Sequence, residues 1–142
     1  AHDPVIAMMS YSNFGSDNNA ECNMVHNVVA KMQQLHPELP IDGEMQVHYA
    51  LNKELRDKTY PFNRLNGKDV NTLIFPNLTA AKTAYRMMLE MGVGEVIGPI
   101  QMGLNKPIHF IAVDSPVRDI VNLTTIAVVD AAVLEKVSTC QA

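Results

Sequence analysis

Residues 4–9, Pro-Val-Ile-Ala-Met-Met, form an apolar run that breaks at once into the small polar stretch Ser10-Tyr11-Ser12-Asn13-Phe14-Gly15-Ser16. Beyond it Val25, Val28, Val29, Met32 and Leu35 recur at helical spacing. A buried strand, a polar turn and an amphipathic helix, in that order, form the unit from which parallel sheets are wound. The turn also prepares a place for an anion. N–H groups at a helix start have no intrahelical partner and carry partial positive charge. Ser10, Ser12 and Ser16 add hydroxyl donors, and Gly15 admits close approach to the backbone. A loop that only caps a helix has the same composition, so both readings stand at this point.

The alternation continues along the chain. The first helix is predicted from near Asp17 or Asn18 to near Leu35, stopped by Pro37 and Pro40. A short strand is expected around Leu39-Pro40-Ile41, then a second helix from about Met45 to Arg56. Tyr60 to Gly67 is rich in turn formers and reads as a surface loop. Val70 to Phe75 reads as an interior strand ended by Pro76, with a helix from about Thr79 to Met91. Two further strands are expected at 95–100 and 106–112, with Gly103 bending the chain between them. Ser115-Pro116 signals a helix start, and Val117, Ile120, Val121, Thr124, Ala127, Val128, Ala131 and Leu134 trace one apolar face beyond it. The pattern is that of an α/β fold with a mostly parallel sheet.

With 142 residues the chain is long enough for one domain with a core. A net charge of −4 and the lack of a basic stripe argue against nucleic acid as a partner. No stretch approaches the roughly 18 apolar residues of a membrane span. Cys22 and Cys140 have no companions at metal-ligand spacing, so a reducing cytoplasm is expected rather than a disulfide. The chain starts without methionine, almost directly on a strand and with no signal-peptide pattern, which suggests a piece of something longer.

Chemistry-bearing residues are sparse. The five histidines are scattered, and His26 and His36 read as structural or solvated. No nucleophile elbow, Walker loop or dinucleotide fingerprint occurs. Ser10 and Ser12 are nucleophiles by type only. Asp42 and Glu44 read as loop carboxylates making caps, in preference to acid–base groups. Arg64 and Lys106 are the cations best placed for an anionic ligand, each in a turn-rich loop beside a predicted strand end.

Taken in order, Ser10-Tyr11-Ser12-x-x-Gly15-Ser16, residues 41–46 (Ile-Asp-Gly-Glu-Met-Gln), Phe75-Pro76-Asn77-Leu78, Ala84-Tyr85, Gly98-Pro99-Ile100, Gly103-Leu104-x-Lys106-Pro107 and Asp119-Ile120-Val121 resemble the phosphotransacetylase (phosphate acetyltransferase) family. Ser12 to Ser16 and Val117 to Asn122 look like one branch, the C-terminal domain of bacterial NADP-dependent malic enzymes. The resemblance implies a three-layer α/β sandwich of the phosphotransacetylase and isocitrate-dehydrogenase kind. Residues 1–142 would be its second lobe plus the return of the chain into the first. The final helix would then pack on a segment absent here or on another subunit.

Two departures from the family pattern stand out. Active members carry a Ser-Arg pair implicated in catalysis and handling of the CoA thiol, and it falls here on Ala112 and Val113. The following aspartate survives as Asp119. His48 stands where the family usually has aspartate. The resemblance therefore implies a non-catalytic regulatory domain binding acetyl-CoA or a related metabolite and contributing to a homo-oligomer. The alternatives are an active acetyltransferase and a purely structural dimerisation domain. Ligand contact is expected at Ser12, Asn13, Gly15, Ser16, Arg64, Gln101, Lys106 and Asp119. NADP and a divalent metal, Mg or Mn, would belong to a malic module elsewhere in the parent protein, with no cofactor held by these residues.

Overall fold

The structure, a computed structural model, describes the backbone of residues 3–140 and the side chains of residues 3–134. The elements run β1 (Ile6–Met9), α1 (Ala20–Leu35), β2 (Ile41–Met45), α2 (Val47–Leu51), α3 (Lys53–Thr59), β3 (Thr72–Ile74), α4 (Leu78–Glu90) and α5 (Val117–Cys140). By its contacts the chain divides into two compact units, residues 1–87 and 88–142, with the boundary inside α4.

In the first unit the strands form a parallel sheet in the order β2-β1-β3. Alternation along the central strand feeds two cores, because successive strand side chains point to opposite faces. Met8, with Ile6 beside it, packs with Val25, Val29 and Ile41 on the α1 side. Ala7 and Met9 pack with Met45, Ala50 and Leu65, and Phe14, Leu73 and Phe75 lie against that cluster. The result is helix, sheet and helix in three layers. After β2 the chain crosses to the other edge of β1, so the strand order reverses beside the central strand.

The register between β1 and β2 slips once. Met8 lies opposite Gly43 and Met9 opposite Met45, leaving Glu44 as an extra residue on β2. Such a bulge re-aims a side chain out of the ladder. Gly43 makes it possible: its φ is +137°, and a Cβ there would sit 2.5 Å from the Met8 carbonyl oxygen.

Several expected elements shift. The first helix begins at Ala20, where the Asn19 side chain accepts from the Cys22 N–H at 3.0 Å. The expected strand at 39–41 is instead Ile41–Met45, so Asp42 and Glu44 are strand residues and not loop caps. The single helix expected from Met45 to Arg56 is two, because the Asn52 side chain caps α3 by accepting from the Leu55 N–H at 2.9 Å. The strand expected at 70–75 shortens to the partly exposed edge Thr72–Ile74.

Arg56 is fully buried and ties α3 to its surroundings. Its guanidinium donates to the carbonyls of Ala50, Leu65 and Lys68 and to Asp57 Oδ1. Burial works against ionisation of Asp57. Hydrogen bonds from the Gly67 N–H and the Asn63 amide, with the Arg56 charge, outweigh it and hold the carboxyl below the usual carboxylate range.

In the second unit the strands expected at 95–100 and 106–112 do not form. A strand exists only through a ladder partner, and among the described residues neither segment has one; Pro99 and Pro107 also lack the N–H a ladder needs. Here α5 follows Pro116, whose carbonyl accepts from the Asp119 and Ile120 N–H groups. Leu123 is buried, while Val117, Ile120, Val121 and Val128 of the expected apolar face are exposed.

Candidate functional site

A cleft of about 620 Å³ opens at the carboxyl ends of all three strands. Ser10 and Tyr11 follow β1, Gln46 and His48 follow β2, and Phe75 follows β3; Glu21 enters from α1. Ligands of open α/β sheets gather at such a place, where the strand order reverses and connections diverge to opposite faces. The volume lies within the range of small-molecule sites.

One wall of the cleft is the Ser10–Ser16 loop, and that loop is organised around a carboxylate of its own chain. Glu44, delivered by the bulge and fully buried, accepts from the Gly15 N–H at 2.5 Å and the Ser12 hydroxyl at 3.1 Å through Oε1. With its hydrogen given to Glu44, Ser12 Oγ accepts from Ser16 Oγ and from the Asp17 N–H, each at 3.0 Å. Ser16 Oγ in turn accepts from the Asn13 N–H at 2.9 Å. The Asn13 side chain accepts from the Gln46 N–H at 2.8 Å, pinning the end of β2 to the loop. The donors of the loop thus turn to a carboxylate of the chain itself, that of Glu44.

The remaining polar groups at the cleft are set by shorter reaches. Tyr11 donates its phenolic hydrogen to Asp17 Oδ2 at 2.8 Å and accepts from the Asn19 amide. The bond to Asp17 is the main reason that the phenol is pushed above its ordinary pKa, with Cys22 adding to it. The Gln46 amide donates to the Tyr11 carbonyl, and the His48 ring lies 4.2 Å from that of Tyr49. Ser10 Oγ stands 3.5 Å from the sulfur of buried Cys22. The Cys140 side chain lies outside the described residues.

The expected site residues therefore fall into three places. Ser12, Asn13, Gly15 and Ser16 come together around Glu44. Arg64 lines a separate, smaller cleft beside Phe14 and His26. Gln101 and Lys106 belong to the second unit, where they line a hollow of about 200 Å³ with Asp130, and Asp119 sits half-buried on α5 beside Arg118. Ala112 and Val113 lie exposed just before the turn leading to α5. Sequence reasoning missed Glu21, Gln46 and Phe75 as cleft residues and set His48 aside. For two of these four the signal was available: Gln46 and Phe75 follow directly on a strand end.

Known proteins share this fold. The phosphate acetyl/butaryl transferase family profile matches residues 1–128. The chain belongs to that family. It is 35% identical over 130 residues to an NADP-dependent malic enzyme of Salmonella typhimurium, covering 91% of this chain and 17% of that enzyme. A phosphate acetyltransferase of Bacillus subtilis is 33% identical over 129 residues, 91% of this chain and 40% of the relative. Among solved structures, the EutD phosphotransacetylase from Staphylococcus aureus superposes with a TM-score of 0.82 at 32% identity, over 91% of this chain and 40% of that one. The chain thus spans about a sixth of the length of such malic enzymes and two fifths of the stand-alone transferases and has the transferase α/β architecture.

Proposed function

We propose that the chain is a ligand-binding, non-catalytic part of a larger cytoplasmic NADP-dependent malic enzyme. It takes acetyl-CoA or a related thioester or phosphate metabolite at the strand-end cleft and alters the malic module through subunit contacts. NADP and the divalent metal act in that module. The observation that carries this reading is the pair Ala112 and Val113. Where the family pattern has a hydroxyl and a guanidinium, these positions offer a methyl and an isopropyl group. Neither donates a hydrogen bond, so nothing there grips a reacting acyl phosphate or steadies charge in transfer. The strand-end cleft that supports binding has Ser10, Tyr11, Gln46 and His48 on its walls. The Glu44-centred loop holds Ser10 and Tyr11 in place, and the ligand contacts expected at Ser12, Asn13, Gly15 and Ser16 become support for that wall.

The likeness to the Bacillus subtilis transferase favours a second reading, an active acetyltransferase with substitute residues. Calorimetry with acetyl-CoA on the intact parent protein, with an assay for acetyl phosphate formed from acetyl-CoA and phosphate, separates the two. Saturable heat without acetyl phosphate is the expected result. Turnover at an enzymatic rate overturns it in favour of catalysis, and absence of any heat leaves a structural role.

A further inference from the structure

We propose that a second cleft, on the α1 side of the Ser10–Ser16 loop, binds a small organic anion: one carboxylate or phosphate on an apolar body. This goes beyond the acetyl-CoA reading and does not rest on it. The cleft measures about 320 Å³, at the lower end of the range for metabolite sites, and lies wholly within the first unit. Phe14, Val29 and Phe62 give it apolar walls, with the two phenyl rings edge to face at 5.2 Å. Phe62 is 68% exposed, a large apolar surface left open at the mouth.

Two polar groups of the cleft stand in opposite states of satisfaction. Asp42 is buried, and its oxygens already accept from the N–H groups of Gly43 and Arg64 and from the Gln33 amide. Arg64 is the reverse case. Its Nη2 donates to the Pro37 carbonyl at 3.1 Å, and no other protein acceptor engages the guanidinium among the described residues. A fork of five donors is left largely free at the cleft. His26 also borders the cleft. Its Nδ1 lies 3.4 Å from Glu44 Oε2, a fully buried oxygen that accepts no hydrogen bond. Arg64 thus supplies charge-assisted donors beside an aromatic slot, the chemistry that recognises an anion with a ring or branched chain.

The test uses benzoate and phenyl phosphate as probes, with benzyl alcohol as the uncharged control, on the 142-residue chain followed by heteronuclear NMR. Both anions are expected to give saturable shifts confined to His26, Phe14, Phe62 and Arg64, and benzyl alcohol none. Arg64→Gln is expected to weaken benzoate about tenfold. The Arg64 side chain is exposed, and the Arg64 N–H to Asp42 survives the substitution. Equal binding of benzyl alcohol overturns the proposal without recourse to any variant. So does the absence of saturable shifts, an unchanged affinity in Arg64→Gln, or shifts centred on Ser10, Tyr11 and His48, which would place the anion in the strand-end cleft.

Discussion

Gly43 and Arg56 show how much of this fold hangs on single positions. At Gly43 the left-handed φ and the Met8 carbonyl leave no room for a methyl group. Gly43→Ala is expected to cost about 1–3 kcal/mol in urea unfolding and to loosen the Glu44 bulge. Arg56 satisfies the buried carbonyls of Ala50 and Leu65, the part-buried carbonyl of Lys68 and one oxygen of Asp57. Replacing it by methionine keeps the apolar stem but strands those acceptors, so a loss of about 3–5 kcal/mol is expected. Asp57 makes the same cluster pH-dependent. Its folded-state pKa is depressed, so its contribution is complete above the unfolded value of about 4 and disappears as pH falls through the folded value. Urea midpoints should therefore drop below about pH 4, and Asp57→Asn should flatten that part of the profile.

Elements differ in how far local sequence decides them. Helix α1 carries its own instructions, an Asn19 cap and a stripe in which Val25 and Val29 are buried. Strand β1 is equally legible because its apolar run meets helices on both faces. The segments 95–100 and 106–112 are the opposite case. Their composition suits strands, yet pairing is a property of two segments, and the chain offers them no second one among the described residues. Amide exchange should be slow along β1 and β2 and fast, close to unprotected, across 95–112. Strong protection there would show that a ladder forms after all.

At the scale of the whole molecule the two units contrast. The first buries both cores and the hydrogen-bonded Glu44, whereas the second leaves Ile97, Ile108, Phe110, Val113, Val117, Val121 and Val128 open. Exposed apolar surface on that scale promotes association. Sedimentation of the chain by itself should show mass rising with concentration, and Val121→Asp with Val128→Asp on α5 should reduce it. An ideal monomer at all concentrations would mean that this surface is satisfied in solution by other means.

The β1–α1 unit, helices α4 and α5 and the polar turn after β1 were legible in the sequence. Each depends on side chains adjacent along the chain or spaced by a helical turn. The partner of that turn was not. Glu44 is about thirty residues from Ser12 and Gly15, and only the β1–β2 register slip brings its carboxylate under the loop. The same is true of both clefts, whose walls come from three strand ends in one case and from α1, β2 and the 60–67 loop in the other. Periodicity encodes which face a residue takes. The long-range closure that places one face against another is decided only when the chain folds.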